Sequence, residues 1–319
     1  MSPIWVLHNP LSGQPDSAAK VDRAVEALAR RGVAVRLERR ATIDELRGVA
    51  REAIAAEAEA VLIAGGDGSV NAMAAELAGS PVALGVLPSG TANVWAKEIG
   101  LAALRWHRPD ALERAALSLL EGQTRLADLG RCNGHLFLLW VGTGLDAFVV
   151  ERLAPRRWHT RRFGLLYNTL ATFFIARQWR GADMRVVAGG REIAGHYLLV
   201  IVANVNQYGG GVFNLGHNAR LDDGQLDVWL FGGSTYAEAM AHSGRLFLGR
   251  HASHPQVTHL AAERVDIYPA RPQAIQIDGE LLLPAQHIAV QVIPASLRVL
   301  VPSGAERKLF SPPVLDSLA

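Results

Sequence analysis

The stretch "VLIAGGDGSVNAMA", residues 61–74, decides how the first half of the chain is read. An apolar run that suits a strand covered on both faces ends in Gly65 and Gly66. Asp67, Gly68 and Ser69 follow, and then a segment that reads as a helix. Glycines at a strand-to-helix junction let the backbone turn tightly and aim N–H groups at an anion, which suits phosphate. A carboxylate in that loop is unexpected. Two readings of Asp67 stay open from the residues alone. It caps the helix beginning at Val70, through its own or Ser69's oxygen, or it serves phosphoryl transfer through Mg2+ or an attacking hydroxyl.

Outward from this loop the pattern repeats. "IWVLH" is strand-like, and "DSAAKVDRAVEALARRG" is helix-like, with Val21, Val25 and Leu28 on one face and Gly32 as a stop. "VAVRL" alternates. Thr42 and Glu45 then form a capping box that opens a helix running toward Glu59. "PVALGVLP" repeats the strand signal, and helices are expected near 92–99 and 109–121. Alternating β and α elements predict a doubly wound, parallel α/β domain over 1–127, which residues 299–319 can complete. After "LADLG" strand-like stretches come without regular helices between them, apart from segments near 163–179 and 235–249. Gly189–Gly190 reads as a hairpin turn. Residues 128–298 are therefore expected to form a mostly antiparallel β-rich domain.

The chain has 319 residues, half of them apolar, which suffices for two domains with cores of their own. A net charge of +2 gives no argument for a nucleic-acid partner. One cysteine, Cys132, excludes an intramolecular disulfide and suits a reducing compartment. No signal-peptide pattern or confident bilayer span is evident, so a cytoplasmic location is expected.

In open α/β sheets ligands bind beyond the C-terminal ends of the strands. Three loops fall there: "NPLSG" (9–13), "GGDGS" (65–69) and "PSGTAN" (88–93). Neither a Walker A sequence nor a G-x-G-x-x-G stretch is present, which counts against ordinary P-loop and dinucleotide folds. The second half adds acids in turns: Asp222 and Asp223 before Gly224, and Asp278 and Glu280 on either side of Gly279. Each can be a plain hairpin turn. Each can also supply the hard oxygens that Mg2+ prefers. Asp128 lies at the change between the two textures.

Taken in order, "NPLSG", "GGDGSVN", "GVLPSGTAN", "GTGLDA" (142–147), "ARLDDGQLDV" (219–228) and "IDGE" resemble the diacylglycerol kinase catalytic family. That family includes sphingosine kinases and bacterial soluble lipid kinases. The resemblance implies an N-terminal α/β nucleotide domain, a C-terminal β-sandwich-like domain and ATP in the cleft between them. It implies ATP contacts by Asn9, Pro10, Ser12, Gly13, Thr42, Gly65, Gly66, Asp67, Gly68, Ser69, Asn71, Gly90, Thr91 and Asn93. Glu280 matches the acid that takes a proton from the lipid hydroxyl. Asp67, Asp128, Asp223 and Asp278 match an Asp–water–Mg2+ network, and a structural Mg2+ site would use Asp223 with the carbonyls of Arg220 and Gln225. The sequence departs from the pattern at Ser69 (usually Thr), Ala72 (often Glu) and Val94 (often Asp).

A lipid acceptor requires a docking surface. "ERLAPRRWHTRRFG" (151–164) sets Arg152, Arg156, Arg157, Arg161 and Arg162 beside Trp158 and Phe163, a mixture that suits anionic headgroups. A solvated loop with the tryptophan packed inward is the other reading. The expected partners are thus a lipid substrate and an anionic membrane surface, without nucleic acid; a homodimer stays open. Two rivals remain: an NAD or sugar kinase on the same nucleotide architecture, and a non-catalytic nucleotide- or lipid-binding regulator.

Overall fold

Strands and helices alternate along the first third of the chain because apolar residues switch between continuous runs and helical spacing. The computed structural model describes residues 3–10, 17–101, 108–153, 174–216 and 219–311. β1 (Ile4–His8), α1 (Ser17–Arg30), β2 (Val35–Arg39), α2 (Ile43–Ala55), β3 (Ala60–Gly65), α3 (Asp67–Leu77) and β4 (Ala83–Pro88) come first. The short α4 (Val94–Glu98) and α5 (Ala111–Leu120) follow. β4, β3, β1 and β2 lie side by side in parallel. β1, β3 and β4 are buried along their whole length, as strands covered on both faces must be.

Local signals act where expected. Thr42 caps α2 through a capping box with Glu45, worth about 1 kcal/mol. α2 stops at Ala55 rather than running toward Glu59. Glu57 takes a left-handed φ of 50°, and the Ala58 amide turns back to donate to the Ala53 carbonyl.

The second half begins with β5 (Gln123–Cys132), β6 (His135–Phe137), β7 (Trp140–Gly144) and α6 (Leu145–Leu153). It continues through β8 (Ala182–Ala188), β9 (Arg191–Ala203), the small pair β10 (Gln207–Tyr208) and β11 (Phe213–Asn214), and β12 (Leu226–Gly232). α7 (Tyr236–Phe247), β13 (Val257–Ala262), β14 (Arg264–Pro269), β15 (Gln273–Ile277), β16 (Glu280–Ala285), β17 (Ile288–Val301) and α8 (Glu306–Leu309) complete it. Of the segment expected near 163–179, residues 163–173 lie outside the described residues. Among the described residues no helix is long and apolar enough to cross a membrane.

This half is a β-sandwich-like domain whose pairings are antiparallel. β9 and β12 separate two cores. Ile201, Ala203, Trp229 and Phe231 belong to the core shared with the α/β domain, while Val200, Val202, Val228 and Leu230 fill the interior of the sandwich. That alternation is the period-two geometry of a strand. Gly189–Gly190 makes the β8–β9 hairpin with φ of 56° and 72°, as its sequence predicts.

β17 joins the halves. Its first part pairs antiparallel with β14, and Val299 pairs parallel with Leu84 of β4. β5 runs antiparallel along it, with a register shift between Ile293 and Leu297. Gly130 of β5 faces Phe137 of β6, and a Cβ there would lie 1.9 Å from the Phe137 ring. Gly130→Ala is therefore expected to destabilise the protein by about 1–3 kcal/mol through overpacking, measured by urea unfolding. A neutral result would mean that Phe137 has room to move.

Candidate active site

The two glycine loops of the α/β domain touch. A Cβ on Gly90 would lie 2.4 Å from the Cα of Gly66, so only glycine permits this approach. Asn93, at a left-handed φ of 50°, closes the second loop. Its Oδ1 accepts from the Gly90 amide at 2.9 Å, and its Nδ2 donates to the Gly90 carbonyl at 2.8 Å.

The structure gives Asp67 partners outside its own helix. α3 begins at Asp67 itself, with Gly66 as N-cap and no side-chain cap. The Asp67 carboxylate instead reaches across to the start of α4, where Oδ1 accepts from the amides of Val94 at 2.6 Å and Trp95 at 3.4 Å. The expectation that Asp67 or Ser69 caps its own helix is thus corrected. Glycine at the N-cap brings no oxygen, and the bare start of α4 lies within reach. Burial raises the Asp67 carboxyl above its usual range against these hydrogen bonds.

Asp278 comes from the other domain. It forms a two-residue turn with Gly279, with φ of 51° and 91°, between the paired residues Ile277 and Glu280. Its carboxylate accepts from the amides of Leu138 (2.8 Å), Leu139 (2.9 Å) and Trp140 (2.8 Å). Burial nevertheless pushes its pKa up to about 7, and the charge of Asp67 adds to the rise. Two carboxylates from different domains therefore lie near enough for the charge of one to bear on the other. A carboxylate offers about four acceptor positions. Each of these spends three on backbone amides, those of Asn93, Val94 and Trp95 for Asp67. The donor set suits a divalent cation reached through water better than a closed protein cage.

Asp128 is 1 % exposed; Oδ1 accepts from Ala295 and Oδ2 from Gly224, both at 2.7 Å. It pins the register shift of β17 to the D-D-G turn. Asp223 accepts from the Gln225 amide at 3.0 Å, and the charges of Asp128, Asp227 and Asp222 all help to raise its carboxyl, after burial. Asp222 accepts from the Ser311 amide, 3.6 Å from Arg125. The Arg220 guanidinium donates to the Phe310 carbonyl, leaving the Arg220 carbonyl as the group of interest on the turn. Among the described residues no three His, Cys, Asp or Glu side chains form a metal cluster, so a cation here would rely on carbonyls.

The other expected residues divide. Asn9 ends β1, with its amide 3.3 Å from the Ala64 carbonyl; Pro10 is exposed beside it. Gly65 is buried, Gly68 and Thr91 are exposed, and Ser69 is buried in the first turn of α3. Thr42 is occupied with its capping box. Glu280 is exposed at the start of β16. Ser12, Gly13, Arg156, Arg157, Trp158, Arg161 and Arg162 lie outside the described residues. Ala72 and Val94 are both buried in the main core, where an acid would be costly.

Two buried polar atoms near the glycine loops lack hydrogen-bond partners, Oδ1 of Asn71 in α3 and the Ser89 hydroxyl. Ser89 was legible only as the second residue of P-S-G-T-A-N. Glu98 had no sequence signal. Buried in α4, it accepts from Asn206 Nδ2 at 2.8 Å and the Gln207 amide at 2.9 Å, across the domain boundary.

Asn206 also lines a cavity of about 630 Å³. Leu215, Trp229 and Leu246 form its apolar walls, and Val212, Phe247 and Leu248 are its strongly exposed rim. The size is that of a small-molecule pocket.

This geometry agrees with the comparisons. Residues 3–132 match the diacylglycerol kinase catalytic domain, and residues 140–301 match the YegS C-terminal NAD kinase beta sandwich-like domain. The chain belongs to the diacylglycerol kinase and YegS-type lipid kinase family. It is 30% identical over 308 residues to a diacylglycerol kinase of Mycobacterium tuberculosis, covering 94% of this chain and 95% of the relative. It is 29% identical over 305 residues to a Pseudomonas aeruginosa "Probable lipid kinase YegS-like", covering 95% of each chain. The fold is shared with a crystallised diacylglycerol kinase of Bacillus anthracis (TM-score 0.69, 15% identity, 95% and 98% of the two chains). It is shared more distantly with an Archaeoglobus fulgidus NAD kinase in complex with ATP (TM-score 0.54, 14% identity, 96% of each chain).

The raised Asp278 carboxyl gives a pH dependence. The folded protein holds that proton more tightly than the unfolded chain, whose carboxyl titrates near the ordinary value of about 4. The stabilisation is fully present below pH ~4 and is lost as pH rises through about 7. In EDTA the melting temperature should therefore fall between about pH 4 and 7, and Asp278→Asn should flatten that fall. Parallel curves for wild type and variant would assign the slope to other acids.

Proposed function

We propose that the chain transfers the γ-phosphoryl group of ATP to the hydroxyl of a lipid such as diacylglycerol, with Mg2+. The observation that carries the reading is the pair of buried, amide-bound acids Asp67 and Asp278, from two domains and within reach of each other's charge, beside the touching glycine loops. Phosphoryl transfer needs mainly alignment and neutralised charge, which loop amides and a cation near two carboxylates supply. The two unpartnered polar atoms, on Asn71 and Ser89, support a ligand at the same loops. The shared fold of an ATP-bound NAD kinase is consistent with ATP there.

Asp67 and Asp278, through water, would hold the Mg2+ of the site, and Asp223 with the carbonyls of Arg220 and Gln225, near Asp128, would hold a structural one. When bound, Mg2+ offsets the charge of the phosphate oxygens. In the reaction the lipid oxygen bonds to the γ-phosphorus, the bond to the β–γ bridging oxygen breaks, and ADP leaves. Glu280 takes the hydroxyl proton. The cavity behind Asn206 is the proposed seat for an alkyl chain, its exposed rim Val212, Phe247 and Leu248 meeting the bilayer. The basic-aromatic segment with Arg156, Arg157, Trp158, Arg161 and Arg162 would give the anionic-membrane contact. A peripheral, cytoplasmic-side role in lipid metabolism follows.

The test is transfer of label from γ-labelled ATP, with Mg2+, to a lipid extract in mixed micelles. An alkali-labile labelled lipid is expected; an alkali-stable one would shift the acceptor to a sphingoid base. ATP binding without a labelled lipid would overturn the proposal in favour of a soluble acceptor or a regulator. Glu280→Gln should bind ATP normally and lose about 10²–10⁴-fold in kcat. Near-normal turnover would remove Glu280 from the proton step.

A further inference from the structure

Asp146, in the G-T-G-L-D-A stretch, is an acid that the reading above does not use. Its carboxyl is raised by burial, and among the described residues no cation pairs with it. Neutral side chains serve it instead, those of Gln276, Tyr208 and Trp140. Gln276 Nε2 donates to Oδ2 at 2.8 Å, and the Tyr208 hydroxyl forms a second hydrogen bond.

Gln276 and Tyr208 each lead to one side of the cleft. Gln276 is 1 % exposed, and its other end, Oε1, accepts from the Gly279 amide at 2.7 Å. Gly279 is the residue between Asp278 and Glu280. Tyr208 precedes Gly209, Gly210 and Gly211, all at left-handed φ (59°, 71° and 75°). The Gly210 carbonyl accepts from Lys97 of α4 at 2.9 Å, and a Cβ on Gly210 would lie 3.8 Å from Ala92 of the second glycine loop. The sequence makes room for the hub. A Cβ on Gly142 would lie 2.3 Å from Asp146 Oδ2 and 3.0 Å from Gln276 Nε2.

We propose that Asp146 is a positioning residue that sets the Asp278–Gly279–Glu280 turn, through Gln276, against the Tyr208–Gly211 strap that lies along α4 and Ala92. The inference rests on the lipid kinase reading for its effect on rate. An unfixed turn would let the acceptor-side acids drift relative to the nucleotide loops. A displacement of about 1 Å at such a site can cost about 100-fold in rate.

The network has a polarity that can be reversed. Gln276→Glu keeps an acceptor for Gly279 but sets two carboxylates against each other. Adding Asp146→Asn supplies a donor to Glu at position 276 and keeps an acceptor for Tyr208. In the full-length chain, Gln276→Leu and Gln276→Glu should each lower kcat about 10- to 100-fold. The KM for ATP should stay within about twofold, because the nucleotide loops are untouched. The double variant should recover about tenfold or more over Gln276→Glu. A Gln276→Leu enzyme with near-normal kcat, or a double variant no better than Gln276→Glu, would overturn the proposal.

Hydrogen exchange at the Gly279 amide gives an independent readout. It should quicken about tenfold or more in Gln276→Leu and be restored in the double variant, with the β3 and β4 amides unchanged. Should the wild type phosphorylate no lipid, the function proposed above fails while this exchange test still decides the network. Unchanged protection of Gly279 would overturn it.

Discussion

The structure depends on one strand serving two domains. β17 has to leave a sandwich in which neighbours run antiparallel and join a sheet in which they run parallel. It does so through the register shift between Ile293 and Leu297, where Ala295 takes a left-handed φ of 48°. Such a conformation persists only if its surroundings hold it. Asp128 does so from the facing strand, with one oxygen on the Ala295 amide and the other on Gly224. The same carboxylate thus fixes the domain junction and the D-D-G turn, and the cleft inherits its shape from that bond.

A second regularity concerns charge. Asp67, Glu98, Asp128, Asp146 and Asp278 are all raised by burial, and their hydrogen bonds come from amide N–H groups or neutral side chains; Lys97 adds its charge near Asp67. Buried carboxylates are costly unless hydrogen-bonded, and an amide donor satisfies them without cancelling their charge. Each group can therefore still be neutralised, by a proton or by an arriving cation. Internal arginines would have stabilised the fold more directly, but they would also have removed the attraction for a cation. The arrangement suits a site in which neutralising charge arrives with the ligand.

Much of this was legible in the sequence, and the limits were physical. Period-two and helical spacing located most elements, and Thr42–Glu45, Gly189–Gly190 and Asp278–Gly279 act through local rules that a short window contains. The end of α2 was misjudged because the left-handed turn at Glu57 uses a residue without a strong turn preference. The acids of the cleft could be named, but not their partners. The Asp67 bond to Val94 spans 27 residues, and the Asp278 bonds to Leu138, Leu139 and Trp140 span about 140. Glu98 and Asn206 carry no motif at all; only the packing of α4 against the second domain brings them together.

The carboxylate in the glycine loop can now be explained by competition between two helix starts. α3 and α4 both begin beside the touching glycines Gly66 and Gly90, so both N-termini attract negative charge. Asp67 takes the start of α4, where its oxygen satisfies the Val94 and Trp95 amides. The start of α3 is left with Gly66 as its cap, with no side chain to occupy it. One helix start is capped by the protein's own carboxylate, and its neighbour carries no side-chain cap. The carboxylate therefore turns away from the amides at the start of its own helix. It decides which of the two helix starts remains open, and it fixes α4, whose Lys97 and Glu98 hold the second domain in place.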